Sequence, residues 1–348
     1  MQKKRIGILT GGGDAPGLNA IIRAVTTKAT DDGYEVIGFE SGWRGLLDKE
    51  YRVLTREDVK HIHLLGGTIL GSSRTNVNKI KDGYDTAKKN LEELEIHALI
   101  AAGGDDTLGV ALKLYNCGAN VVGVPKTIDN DVSGTDYTFG FDTASNRVSE
   151  FIEMLRTTTK SHRRVMVVEI MGRHAGWIAL HGGIAGGAHM IIIPEVEVSA
   201  QEVCDMVRRR YESGEKWAMI AVAEGANIKD IMKDVSHSSQ LDEFGHIQYS
   251  ISQGVAEALA NSIESATGYE TRSTVLGHLQ RGGNPSAYDK VLCTRLGVKV
   301  VQMIEDGEFG QMAAIRAGEM KSVSLEEAVG THKTVDLERY EVAKIFFS

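Results

Sequence analysis

Short runs of apolar residues alternate along this chain with glycine-rich turns and amphipathic stretches. RIGILT (5–10) leads through GGGDAPG into a helical pattern from Leu18 to about Asp32. YEVIGF (34–39), IHALIAAGG (96–104) and NVVGVPKT (120–127) read as further strands, with a helix from Thr107 to about Cys117. The second half repeats the style. RRVMVVEIMG (163–172) precedes the helix-like HAGWIALHGGIAGG, HMIIIPE (189–195) precedes a helix over 199–213, and WAMIAVAEG (217–225) precedes a more polar stretch. TRSTVLGH (271–278) leads to a long helix from about Ser286 to Asp306. Continuously apolar strands between helices predict parallel sheets covered on both faces, an α/β class. Two α/β layers are expected, joined near residue 140, with no short internal repeat. The polar stretch 226–248 reads as a surface insertion. Pro16, Pro125, Pro194 and Pro285 fall at or just past the expected strand ends, where open α/β sheets bind ligands.

A chain of 348 residues, 42% apolar and 25% charged, suits two soluble domains with sizeable cores. No apolar run approaches the roughly 20 residues of a membrane span. The basic start MQKKR is followed by a few apolar residues and then glycines, which reads as a first strand rather than a signal peptide. Cys117, Cys204 and Cys293 fit no metal spacing and suit a reducing, cytoplasmic compartment. The net charge of −8 argues against nucleic acid as a partner, but not against a small anion held by local arginines.

Several loops carry the chemistry, each with a plainer alternative. TGGGDAPGLNAIIRA (10–24) is strand, glycine turn and helix, which suits a phosphate or merely a tight turn. In GGTILGSSRTN (66–76), Arg74 would clamp a phosphate or sit in solvent. In AAGGDDTLG (101–109), Asp105 is a candidate Mg²⁺ ligand or a helix cap, and two adjacent carboxylates exceed what a cap requires. PKTIDND (125–131) combines Lys126, Thr127, Asp129 and Asp131 at a strand end. Asp129 suits a base for a hydroxyl proton, with Thr127 orienting the substrate. The alternative is an Asx turn, which has no need of the lysine. SHRR, MGRHAGW and ETRSTVLGHLQRGG supply Arg164, Arg173, Arg272, His278 and Arg281, surface charges singly but a sugar-phosphate cluster if they converge. His174, His181 and His189 lack metal-site spacing and read as structural.

With these motifs in this order, the chain resembles the phosphofructokinase family from GILTGGGDAPGLNA through LGHLQRGGNPSAYD, nearly its whole length. The resemblance implies two Rossmann-like, three-layer α/β domains with mostly parallel sheets and an active site between them. The implied boundaries are 1–139 plus 280–330 for donor and Mg²⁺ binding, and 140–279 plus 331–348 for the sugar phosphate. It implies phosphoryl transfer to the 1-hydroxyl of fructose 6-phosphate, giving fructose 1,6-bisphosphate, in glycolysis or gluconeogenesis. By the matching motifs, Gly13, Arg74, Asp106, Thr107 and Lys126 would meet the donor phosphates, and Asp105 would be the Mg²⁺-associated residue. Asp129 would be the base, with Thr127 and Asp131 beside it. Met171, Gly172, Arg173, Glu224, Arg272, His278 and Arg281 match sugar-phosphate positions. Arg164 and Arg272 match arginines offered across a subunit interface, implying a homo-oligomer, dimer or tetramer, with shared active sites.

The paired carboxylates bear on the donor. ATP-using bacterial members carry Gly where this chain has Asp106 and Lys126, whereas pyrophosphate-using members carry Asp and Lys. A carboxylate at 106 would repel the inner phosphate of a nucleotide. Two like charges about 4 Å apart at an effective dielectric near 20 cost roughly 4 kcal/mol, about a thousandfold in affinity. Pyrophosphate has no such inner phosphate, and Lys126 would stabilise charge on the transferring and leaving groups. The resemblance therefore implies a reversible pyrophosphate-dependent enzyme releasing orthophosphate. The alternatives are an ATP-dependent phosphofructokinase, a more distant kinase with a GGD loop, and a non-catalytic sugar-phosphate-binding subunit. Regulated bacterial members have a metal-associated Glu where His189 aligns and lysines where Ser213 and Glu215 align, which disfavours ADP or phosphoenolpyruvate control. The extra residues between Glu224 and Arg272, relative to compact bacterial members, have no assigned role.

Overall fold

The computed structural model describes residues 4–231, 240–241, 247–248 and 254–348, so most of the polar stretch 226–248 lies outside the described residues. In chain order the strands are β1 (Arg5–Thr10), β2 (Glu35–Phe39), β3 (Tyr51–Leu54), β4 (Ile96–Gly103), β5 (Val121–Thr127), β6 (Phe139–Gly140) and β7 (Val165–Ile170). They continue as β8 (Met190–Ile192), β9 (Ala218–Ala223), β10 (Gln240–Leu241), β11 (Ile247–Gln248), β12 (Thr271–Val275), β13 (Gln311–Arg316) and β14 (Glu319–Ser324). The chain divides into two compact units.

The first unit comprises Met1–Ile128, Val132–Thr143 and Arg281–His332. Its eight-stranded sheet runs β14–β13–β5–β4–β1–β2–β3, with β6 beside β5. The central strands β1, β2, β4, β5 and β13 pair in parallel, and β3 and β14 pair antiparallel at the edges. Alternate residues of the central strands serve opposite faces, as the period of two requires. Ile6, Ile8, Ile100, Val122 and Val124 pack with the helices Leu18–Asp31 and Ala287–Glu305. Leu9, Leu99, Ala101 and Val121 pack with the helices Gly83–Glu93 and Asp105–Asn116. The antiparallel hairpin β13–β14 was not in the sequence pattern. It turns through Ala317 and Gly318, both at positive φ, 49° and 82°, as a tight hairpin turn requires.

The second unit comprises Asp129–Asp131, Ala144–Gln280 and Lys333–Ser348. Its four-stranded sheet, β12–β7–β9–β8, is parallel throughout. Val165, Val167, Ile192, Ile220 and Val222 pack with the helices Ala200–Glu212 and Val255–Thr267. Ser199 begins the former with a capping box closed by Glu202. The 22-residue helix Phe141–His162 carries the division point between Thr143 and Ala144. Its first turn is held by the fully buried Asp289, which accepts from the Gly140 and Thr143 N–H groups at 3.0 and 2.9 Å and from the Thr143 hydroxyl at 2.5 Å.

One local expectation needs correction. The helix expected from Thr107 starts at Asp105 with Gly104 at its N-cap, so both aspartates lie inside the first turn and neither caps it. Pro125 lies near the end of β5, inside the expected strand and in register with Gly103.

Candidate active site

In the first unit the turn after β1 is built around Thr107. A Cβ on Gly11 would lie 2.6 Å from the Thr107 Oγ1, and one on Gly103 would overlap the Thr107 side chain. Glycine at both positions lets this buried threonine wedge between the β1 and β4 turns. Gly12 has φ of 77°. Its N–H donates to the Ser73 carbonyl at 3.2 Å, and its carbonyl accepts from the Ser72 hydroxyl. The loop carrying Arg74 is thereby fastened beside the glycine turn, with Arg74 itself exposed.

Lys126 leaves β5 into the same region. It is 3% exposed, and its ammonium donates to the Gly13 carbonyl at 2.6 Å. Burial of a lysine head is costly without a partner, so the lysine and the glycine turn hold each other. Arg281 also belongs here. Its guanidinium donates to the Asp14 carbonyl at 3.0 Å, and a Cβ on Gly13 would meet it at 2.9 Å. The structure thus sets Arg281 against the residues expected at the donor, whereas its expected partners Arg272 and His278 belong to the other unit. Thr127 is buried, and its carbonyl accepts from the Thr138 hydroxyl at 2.7 Å.

Asp105 and Asp106 occupy the first turn of the helix Asp105–Asn116, half-buried and exposed respectively. A helix N-terminus attracts anions. Two carboxylates there offset that attraction. Among the described residues no three His, Cys, Asp or Glu side chains converge as a metal cage. That donor set fits Mg²⁺, which binds through one or two carboxylates and completes its shell with phosphate oxygens and water.

In the second unit a group forms at the carboxyl ends of β7 and β9. Gly172 has φ of 134°, and a Cβ there would meet the Ala175 carbonyl at 2.6 Å. The Met171 N–H donates to Gln280 Oε1 at 3.1 Å, and the Gly225 N–H donates to the Gly172 carbonyl at 3.2 Å. Glu224 points its carboxylate at the Gly172 N–H, 3.5 Å away. Its burial, followed by the charge of Asp129, pushes the Glu224 carboxyl up to about 7, against the Gly172 N–H and the Arg173 charge. Glu169, on β7, is raised by burial and accepts from the Ala256 N–H at 3.0 Å at the start of the helix Val255–Thr267. Asp129 is half-buried, and the turn after it places Asn130 in the left-handed region at φ 53°, which Asn tolerates. Lys333 fastens this turn, with its ammonium 3.0 Å from Asn130 Oδ1 and its N–H 2.8 Å from the Asp131 carbonyl. Gln280, Glu169 and Lys333 were missed because nothing local marks a residue whose partner lies 87 to 203 positions away.

Arg164 and Arg272 do not join this group. Arg164 immediately precedes β7, and Arg272 pairs in register with Met166 near the strand's start. Met171 and Arg173 follow the strand's end. The six residues of β7 put Arg164 and Met171 roughly 20 Å apart at about 3.3 Å per residue. The expectation of one arginine cluster at the carboxyl ends of the strands is therefore corrected, because these two arginines sit at the opposite end of the sheet. His278 is exposed in the single turn Gly277–Gln280. His189 packs on Trp217 at 4.6 Å, accepts from the Met219 N–H at 2.9 Å, and is pushed down to about 3 chiefly by burial.

A glycine turn closed on a buried lysine, beside paired carboxylates in a doubly covered parallel sheet, defines an α/β protein fitted to phosphoryl groups. The chain belongs to the phosphofructokinase family, whose model, described as Phosphofructokinase, matches residues 5–304. It is 53% identical over 345 residues to the pyrophosphate--fructose 6-phosphate 1-phosphotransferase of Amycolatopsis methanolica, covering 99% of both chains. It is 46% identical to the ATP-dependent 6-phosphofructokinase of Corynebacterium efficiens, covering 100% of both. The crystal structure of Pichia pastoris phosphofructokinase in the T-state superposes with a TM-score of 0.82 at 31% identity, covering 99% of this chain and 36% of that one.

Proposed function

We propose that this enzyme reversibly transfers a phosphoryl group from pyrophosphate to the 1-hydroxyl of fructose 6-phosphate, yielding fructose 1,6-bisphosphate and orthophosphate. What supports the donor is the presence together of Asp106, on the first turn of the helix Asp105–Asn116, and of Lys126, whose ammonium donates to the Gly13 carbonyl at 2.6 Å. The carboxylate disfavours a nucleotide's inner phosphate, and the lysine supplies the positive charge that a terminal phosphate needs. In this reading Gly13, Arg74, Thr107 and Lys126 hold pyrophosphate. Asp129 takes the proton from the 1-hydroxyl as that oxygen bonds to phosphorus and the bridging oxygen departs with orthophosphate. Thr127 orients the hydroxyl, and Met171, Gly172, Arg173, Glu224 and His278 hold the sugar. Asp105, with Asp106 beside it, would hold Mg²⁺, which when bound supplies charge neutralisation on the phosphoryl oxygens.

Arg164 and Arg272 lie at the far end of their own sheet from Arg173 and Glu224. This reading therefore assigns them to the sugar phosphate of a second copy, in a homo-oligomer that works in the cytoplasm. A second reading, ATP as donor, is favoured by the 46% identity to a relative named ATP-dependent. Initial rates with fructose 6-phosphate and Mg²⁺, comparing pyrophosphate with ATP, separate the two. Turnover with pyrophosphate is expected, and turnover with ATP alone would overturn the donor assignment while leaving the base in place.

A further inference from the structure

Arg164 and Arg272 are held by the same carboxylate. Glu270 immediately precedes β12 as Arg164 immediately precedes β7, and Thr271 pairs in register with Val165, so the strand pairing sets Glu270 beside Arg164. Glu270 Oε1 lies 3.8 Å from Arg164 Nη1 and 3.1 Å from Arg272 Nη2. Glu264, on the helix Val255–Thr267, lies 3.6 Å from Arg272 Nη1, which also donates to the Thr271 carbonyl at 2.9 Å. Two guanidiniums are thus balanced by two carboxylates, the charge that one phosphate dianion carries. The balance is loose. Arg272, Glu270 and Glu264 keep 52%, 47% and 46% of their side-chain surface, whereas Arg164 keeps 19%. Among the described residues, the buried Arg164 Nε meets no hydrogen-bond acceptor.

We infer that Glu270, assisted by Glu264, is a placeholder for the sugar phosphate, holding the two arginines in position and lowering their affinity for the phosphoryl dianion that displaces it. The inference rests on the assignment of these arginines to fructose 6-phosphate. Without a counter-charge, two neighbouring guanidiniums would repel each other and take up any passing anion. A carboxylate between them keeps the pair assembled, yet is exposed enough to be exchanged. Phosphate accepts from both forks at once, whereas the single Glu270 Oε1 is shared between an Nη of Arg164 at 3.8 Å and an Nη of Arg272 at 3.1 Å. Glu270 is thus a specificity-determining residue: it sets how much better than a carboxylate an anion must be to enter.

The test is the KM for fructose 6-phosphate at low salt for the unsubstituted enzyme and for Glu270→Gln, Glu270→Asp and Glu264→Gln. Glu270→Gln is expected to lower that KM about 2- to 5-fold, the size of a half-exposed ion pair, with kcat and the pyrophosphate KM unchanged. Glu270→Asp, which withdraws the charge by one methylene, is expected to move KM the same way but less, and Glu264→Gln least. Added salt should shrink the difference. A brace that only orients the arginines predicts the reverse, so a raised or unchanged sugar KM in Glu270→Gln would overturn the inference. Absence of turnover by the unsubstituted enzyme would instead overturn the proposed function, and this inference with it.

Discussion

The two candidate groups are built in opposite ways. In the first unit the proposed donor site is a tightly interlocked turn. Thr107 fills the space left by Gly11 and Gly103, and the buried Lys126 closes on the Gly13 carbonyl. In the second unit the proposed sugar site is a set of half-buried and exposed charges. Glu224 has its carboxyl raised by burial and then by Asp129, and at the opposite end of the same sheet Arg164 and Arg272, assigned to the sugar phosphate of a second copy, share Glu270. The first arrangement suits a small, symmetric, highly charged donor that needs one fixed cradle. The second suits a larger acceptor whose binding exchanges one set of charge partners for another.

The sharpest way to break this comparison is at Asp129. Asp129→Asn is expected to reduce turnover by about 10²–10⁴-fold, the usual contribution of a positioned base, with little change in sugar KM. Unchanged turnover would remove the base from the second unit's group. Next is Asp106→Gly in the first unit, alone and with Lys126→Gly. ATP affinity is expected to rise by roughly tenfold or more, towards the thousandfold limit of a screened charge pair, while pyrophosphate use falls. A flat ATP response in binding titrations would show that the carboxylate does not discriminate between donors.

A stability measurement probes how tightly the donor cradle is interlocked. Gly11→Ala places a methyl 2.6 Å from the Thr107 Oγ1 and 3.0 Å from its Cγ2, so it is expected to destabilise the fold by about 1–3 kcal/mol. Adding Thr107→Ala should recover most of that loss in urea unfolding. No recovery would place the clash elsewhere.

The smallest effect concerns Glu224 in the second unit. Its carboxyl is raised from the usual 4.5 to about 7, so across that window the folded chain binds a proton that the unfolded chain has released. Stability from this group is therefore present below the unfolded value and declines as pH rises through the folded one. Glu224→Gln should abolish that decline, making the variant's Tm gain over the parent larger at pH 8 than at pH 5. Equal gains at both values would mean that Glu224 is ionised throughout.

Much of this molecule is legible one segment at a time. Strands such as RIGILT and WAMIAVAEG are apolar on both faces, and only a parallel sheet covered on both sides accommodates that. The glycine turns and PKTIDND each also fit a tight turn or an Asx turn, and it is their combination in this order that points to phosphate chemistry. What stayed illegible depends on pairing across distance. The edge strands β3 and β14 are short and mostly solvent-facing, so they carry little apolar signal. The start of the helix at Asp105 rather than Thr107 follows from Thr107 packing against two glycine turns, one of them almost a hundred residues earlier.

The same holds for the charges. Composition and motif determined which ionisable residues are present and which family they belong to. Only the tertiary structure decided that Arg281 lies against Gly13, that Lys333 fastens the turn after Asp129, and that Arg164 and Arg272 stand at the end of β7 away from Arg173. The physical reason is that a residue's type is local, whereas strand register, burial and the neighbouring charge that shifts a carboxyl exist only once distant segments have packed together.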